Sequence, residues 1–358
     1  MDTFLQTLHL YHTLHQAQYS YVSKHTPFLR INSVDIRQLT PSDTPLLQHL
    51  IAKHAVLYFS NQQLTPQDEL HMNQLFDYHS AQQHTHSFGF SESTHKKQYT
   101  VPYCEQVQVM GKTNGILPFH EGLTNVRLEE SLTYENEGFH SDGIHDVGDF
   151  KTAVTQDEFP ILTSLYARHI RQYDGQTYFA DSRKAYHWLT DDMKKKAEHL
   201  LVHYRSPING VLLNDGICQT LPHHVSLDTY TANTVHPLVR THHETRDKAI
   251  FLNCAHMLYT SYKNEPHKKL SFDESTHFLY ALLHKVCHEP YVYAHTWNTG
   301  DFVIWDNRIC LHSAPKTHTS NMKNQERIMH RVRLTGASTF NADCADTWQA
   351  FKGGLARL

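Results

Sequence analysis

The chain is 358 residues long and 39% hydrophobic, with 32 Lys and Arg set against 36 Asp and Glu. That length fits one large domain or two small ones, and the near-balanced charge gives no footing for a nucleic-acid backbone. No apolar run reaches the roughly 18 residues that a membrane span needs. The opening stretch, MDTFLQTLHLYHTLHQ, has neither a basic cluster nor a continuous apolar run, so a secretory signal is not expected. Six cysteines, at 104, 218, 254, 287, 310 and 344, form no C-x-x-C pair. Reduced thiols in a cytoplasmic protein are the expectation.

Residues 1–30 read as an N-terminal helical extension, because Leu5, Leu8, Leu10, Tyr11 and Leu14 recur near helical spacing. It would pack on the main domain or on a partner subunit of a homo-oligomer. Residues 31–358 then form a single domain. Pro41-Ser42-Asp43-Thr44 starts a helix over LLQHLIAKHA, and AVLYFSNQ follows as a short buried strand. Thr65-Pro66-Gln67-Asp68-Glu69 opens a second helix, with Pro and acidic residues in its first turn. Residues 80–135 are polar and irregular, which predicts loops and short strands.

FPILTSLYARHI and QTYFAD are strands around a turn at Tyr173-Asp174-Gly175. One long helix is predicted over 182–204, with Leu189, Met193, Ala197, Leu200 and Leu201 on its apolar face. Residues 206–235 read as a long loop. Further strands fit HPLVRTH, KAIFLN, YVYAHTW, DFVIWD and RIMHRVRLTG, with a helix from Phe272 to Cys287 between two of them. Many short strands and few helices predict a mainly β fold with flanking helices and a double-stranded β-helix (jelly roll) core.

The sharpest local motif is Gly138-Phe139-His140-Ser141-Asp142-Gly143. Residues two apart on a strand point to the same face, so His140 and Asp142 can reach one metal. In a chain with 32 histidines, H-x-D alone is near chance. Its support comes from Gly300-Asp301-Phe302-Val303-Ile304-Trp305-Asp306-Asn307-Arg308-Ile309-Cys310-Leu311-His312, where a turn, an apolar strand and a polar corner lead to a second strand. Two imidazoles and one carboxylate make the facial triad suited to Fe(II), with open positions for a bidentate co-substrate and oxygen. Downstream, strand alternation puts Arg327, Met329, Arg331 and Arg333 on one face, and a guanidinium matches a carboxylate bidentately.

The chain resembles the TauD/TfdA family of Fe(II)/2-oxoglutarate-dependent dioxygenases. FHSD (139–142), LTSLYARHI and DGQTYFADSRKAYHWL (162–189), HPLVRTH (236–242), GDFVIWDNRICLH (300–312) and RIMHR (327–331) carry the match. HAVLYFSNQQLTPQDEL (54–70) fits the family's opening strand and helix. The resemblance implies that His140, Asp142 and His312 are the catalytic metal ligands. It implies that Arg327 and Thr177 bind the distal carboxylate of 2-oxoglutarate, and that Arg331 faces the primary substrate.

Arg168 reads either as a member of an internal ion pair or as a substrate contact, and Tyr99, Tyr103 and His145 are further candidates for the substrate pocket. Trp188, Trp297 and Trp305 read as core aromatics, and His330 as structural. The stretch from Asp142 to Leu165 and the loop from His312 to Arg327 are longer than the family's pattern, and the N-terminal extension has no counterpart in it. These departures bear on substrate identity and on the choice of Arg327 over Arg331.

The implied reaction consumes 2-oxoglutarate and O2, releases succinate and CO2, and hydroxylates a C–H bond of a small acidic or amino-acid-like molecule. A carboxylate at position 142 argues against halogenation. Desaturation or oxidative decarboxylation of the substrate would use the same triad. Two other readings stand beside it: a demethylase of protein or nucleic acid, which the charge balance disfavours, and a jelly-roll metal-binding protein with no activity.

Overall fold

VLYF (56–59) and FVIWD (302–306) are buried at every position, as expected of strands covered on both sides. They lie side by side in a ten-stranded sheet. Its centre runs Val56–Phe59, Phe302–Asp306, Phe159–Arg171, Glu326–Gly336 and Cys104–Lys112, each antiparallel to the next. The computed structural model describes residues 14–76, 82–83, 89–91, 96–128, 137–142, 159–171, 175–204, 234–253, 257–287, 290–314 and 326–336. Among these, strands dominate and helices are few.

One face of the large sheet is covered by helix Thr44–His54, whose Leu46, Leu47, Leu50 and Ile51 pack with Leu57, Phe59, Phe302 and Ile304. The other face meets a four-stranded sheet made of Glu137–His140, Cys310–Ala314, Gln176–Asp181 and Val292–Thr296. Leu165, Val303, Trp305 and Met329 from the large sheet enclose Phe179 from the small one. Phe179 meets Trp305 edge to face at 5.3 Å between ring centroids. Each fully buried side chain of this size contributes about 1.5–3 kcal/mol. The candidate ligands sit between these two sheets.

Helix starts follow their caps. Thr65 and Asp68 form a capping box on Pro66–Gln74, and Ser271 and Glu274 form one on Phe272–Val286. The long helix expected over 182–204 is corrected. Helix Ser182–His187 stops, Thr190 caps a second helix Asp191–His199, and Leu200–Tyr204 is a strand. Thr190-Asp191-Asp192 is a helix-start signal lying inside a continuous apolar pattern. The strand's partners, Thr234–Pro237 and Met257–Tyr262, are remote in sequence.

The helical reading of the N-terminus is also corrected within the described residues. Gln18–Tyr21 is a strand paired with Leu29–Asn32 at the edge of the large sheet. Leu5 to Tyr11 lie outside the described residues. The irregular stretch 80–135 contains a nine-residue strand, Cys104–Lys112, next to Glu326–Gly336. Cys104, Cys287 and Cys310 are unbridged. No helix among the described residues is long and apolar enough to cross a membrane.

Three buried histidines give the fold an acid-sensitive stability. Burial pushes His54, His120 and His203 from 6.5 down to about 4. Between these values the unfolded chain binds protons that the folded chain refuses, so stability falls as pH drops through that window. The urea midpoint is therefore expected to be lower at pH 5 than at pH 7, and His54→Gln should narrow the gap. Equal midpoints at the two pH values would contradict this account.

Candidate metal and co-substrate site

The site begins with strand pairing. Glu137–His140 runs antiparallel to Cys310–Ala314, and the register sets His140 directly opposite His312. Directly opposed residues bring side chains together on one face, and the two imidazole centroids are 4.3 Å apart. Asp142 lies just past the strand end. Its Oδ1 is 4.0 Å from His140 Nε2 and 3.7 Å from His312 Nε2. One donor atom from each of the three lies within 4.8 Å of the others, and no other His, Cys, Asp or Glu group among the described residues converges this way. The three residues are 9%, 7% and 8% exposed.

The electrostatics suit a cation. Burial pushes His312 down to about 3, helped by His140, so its imidazole is neutral and its lone pair available at neutral pH. Burial works to raise the Asp142 carboxyl but is outweighed by His312, Arg331, His140 and Arg333, which hold it well below the usual carboxylate range. With His312 neutral, the two arginines remain as counter-charges. The carboxylate is thus ionised, and two imidazole nitrogens stand ready beside it. This donor set fits a divalent first-row metal and leaves positions open for other ligands.

Asp142 is also held from behind, because the hydroxyl of Thr163 donates to its Oδ2 at 2.7 Å. Asn307 donates to Thr163 Oγ1 at 2.8 Å. Asn307 belongs to the tight corner between Phe302–Asp306 and Cys310–Ala314, and the second of these strands carries His312.

A second cluster joins Thr177, Trp297 and Arg327. The indole of Trp297 donates to Thr177 Oγ1 at 3.0 Å. The Arg327 guanidinium lies 5.8 Å from the centroid of the same ring. Gly111, paired with Ile328 at φ +123, lets the two strands approach closely here; a Cβ at Gly111 would stand 2.0 Å from the Arg327 carbonyl oxygen. Arg331 occupies a different position. Its Nε donates to Gln108 Oε1 at 2.9 Å, and its charge acts on both Asp142 and His312.

Three substrate candidates make other contacts. Arg168 pairs with Glu121 at 2.6 Å, and Tyr103 donates to the same carboxylate at 2.5 Å. Both are tied to Glu121, and Arg168 also reaches the Leu64 carbonyl. Tyr99 packs in the apolar cluster with Val101 and Val109. His145 lies outside the described residues. His330 is structural, as expected: it is fully buried between Glu69 at 2.7 Å and His120 at 2.8 Å. Trp297 and Trp305 are 3% and 1% exposed and belong to the core between the sheets.

Thr163, Asn307 and Gln108 escaped the sequence reading. Asn307 carried a signal, since a polar Asp-Asn-Arg corner between two apolar strands needs a reason. Thr163 and Gln108 had none, because only the pairing of Phe159–Arg171 and Cys104–Lys112 with Glu326–Gly336 brings them to the site.

Comparison with known proteins agrees with this geometry. The family model for the taurine catabolism dioxygenase TauD, TfdA family matches residues 21–333. The (S)-phenoxypropionate/alpha-ketoglutarate-dioxygenase of Sphingobium herbicidovorans is 29% identical over 250 residues, 65% of this chain and 78% of that protein. The alpha-ketoglutarate-dependent xanthine dioxygenase xanA of Emericella nidulans is 26% identical over 336 residues, 79% of this chain and 86% of its own. A crystal structure of a taurine dioxygenase from Burkholderia xenovorans superposes with a TM-score of 0.60 over 89% of both chains at 20% identity, a likeness of fold.

Proposed function

Because the chain belongs to the TauD/TfdA dioxygenase family, we propose that His140, Asp142 and His312 hold Fe(II) and that the site oxidises a small acidic molecule. The chain is a non-haem, 2-oxoglutarate-dependent dioxygenase. The observation that carries the site assignment is the convergence of three buried donors on one point between the sheets. The two sheets enclosing them are read as the halves of a double-stranded β-helix.

When bound, iron, 2-oxoglutarate and O2 supply the oxidation: the co-substrate is decarboxylated to succinate and CO2, and a substrate C–H bond is hydroxylated. The protein's part is binding, orientation and exclusion of water. Arg327 and Thr177 are assigned to the distal carboxylate of 2-oxoglutarate. Their support is their shared contact with Trp297, which presents a guanidinium and a hydroxyl side by side. Arg331 is assigned to the acidic group of the substrate. Its support is its charge, which acts on both Asp142 and His312. The phenoxypropionate named for one relative is a carboxylate of the expected kind. Desaturation or oxidative decarboxylation of the substrate would draw on the same residues.

The test uses purified protein with Fe(II), ascorbate and 2-oxoglutarate under a screen of small carboxylic and sulfonic acids. A weak visible absorption band on anaerobic mixing, and succinate release stimulated by an acid, are expected. Neither band nor succinate would remove the enzyme reading. Arg331→Ala should raise the KM for an acidic substrate by about tenfold or more, the cost of a lost charge-assisted hydrogen bond of roughly 1.5–3 kcal/mol. It should leave the affinity for 2-oxoglutarate within about twofold; equal loss of both would undo the division between Arg327 and Arg331.

A further inference from the structure

We infer that Thr163, oriented by Asn307, is a positioning residue that keeps Asp142 a one-oxygen metal ligand; the inference rests on the metal-site reading above. The argument follows the hydrogens. An indole N–H can only donate. Trp305 Nε1 donates to Asn307 Oδ1 at 2.9 Å, so that atom is the amide oxygen. The same oxygen accepts the backbone N–H of Asp142 at 3.3 Å. The amide nitrogen is thereby turned to Thr163, where it donates to Oγ1 at 2.8 Å. A threonine hydroxyl has one proton, and with Asn307 donating to it that proton goes to Asp142 Oδ2, 2.7 Å away.

The donors therefore run one way, from Trp305 through Asn307 and Thr163 to the carboxylate. Trp305, Asn307 and Thr163 are 1%, 0% and 0% exposed, so bulk water does not compete for these partners. Oδ2 is occupied, and Oδ1 is the oxygen turned toward His140 and His312. A carboxylate free to rotate binds metals through one oxygen or two. Two-oxygen binding by Asp142 would take a coordination position that the co-substrate or O2 needs. Tethering Oδ2 prevents this and holds Oδ1 in place.

The experiment titrates metal-free full-length protein with Mn(II) by calorimetry and records the visible spectrum of the Co(II) form. Thr163→Val keeps the volume and loses the hydroxyl. It should weaken Mn(II) binding about 10- to 100-fold, the range for losing a partner of a metal ligand, and alter the Co(II) spectrum. Thr163→Ser should restore both. Asn307→Ala removes the donor to Thr163 and also the acceptor of the Asp142 backbone N–H, so it should weaken Mn(II) binding alone and weaken it less in the Thr163→Val background than in wild type. Should Thr163→Val not fold, the Asn307→Ala titration decides: unchanged affinity overturns the inference. Equal affinity and equal Co(II) spectra for wild type and Thr163→Val overturn the positioning role while leaving the metal site standing. Failure of the wild-type protein to bind Mn(II) at all overturns the metal-site reading instead.

Discussion

Asp142→Ala should abolish stimulated succinate formation and Mn(II) binding, by far more than the roughly 10- to 100-fold that losing a hydrogen-bond partner of a ligand costs. The side chain is the one anionic donor among the three that converge. Without it two imidazoles remain, neutral at His312, and the charges of Arg331 and Arg333 that acted on Asp142 now oppose an incoming cation. The hydroxyl of Thr163 loses its acceptor as well, at about 1–3 kcal/mol for a buried group left unpaired. Stability and activity should therefore both fall, with activity falling much further. Asp142→Glu should not rescue, because one added methylene moves the carboxylate away from Thr163 and out of line with two imidazoles fixed by strand register. A Mn(II) titration alongside the succinate assay settles it; an alanine variant retaining a tenth of wild-type turnover would rule Asp142 out as a ligand.

The convergence of His140, Asp142 and His312 was legible only from joined motifs, because H-x-D alone is near chance in this chain. His140 and Asp142 are two apart, and His312 follows an apolar strand and a polar corner whose composition announces a turn. What the linear pattern could not supply was the register that places His140 opposite His312. For Arg168 the sequence left an internal ion pair and a substrate contact open, and its partner Glu121, remote along the chain, is supplied only by the fold. The misread helix over 182–204 has a similar origin. The apolar spacing of Leu189 to Leu201 continues across two caps, and only long-range pairing makes Leu200–Tyr204 a strand. Thr163 stayed invisible for the same reason, as an ordinary strand threonine until the sheets close around it.

The largest effect on stability is expected from Arg308→Met, at about 3–5 kcal/mol, the cost of leaving a buried charge unpaired. Arg308 is 1% exposed and Asp306 fully buried. The guanidinium donates to both Asp306 oxygens, at 2.8 Å and 2.5 Å, and to Glu244 at 3.1 Å. Burial would raise the Asp306 carboxyl, but Arg308 and His242 outweigh it and hold the group well below the usual carboxylate range. His242 contacts Asp306 at 3.1 Å and Glu244 at 3.3 Å. Removing the guanidinium therefore strands two acids around one imidazole. Asp306 and Arg308 flank Asn307, so the pair also fixes the corner that turns Asn307 toward Thr163 and starts the strand bearing His312. Loss of Arg308 should thus reach the metal site through the backbone, weakening Mn(II) binding in whatever protein still folds. The double variant Asp306→Asn, Arg308→Met should recover part of the stability, because it removes the stranded charge along with its partner. Urea unfolding of both variants beside wild type reads this directly. A single variant within about 1 kcal/mol of wild type would overturn the assignment of Arg308 as the charge that holds the corner.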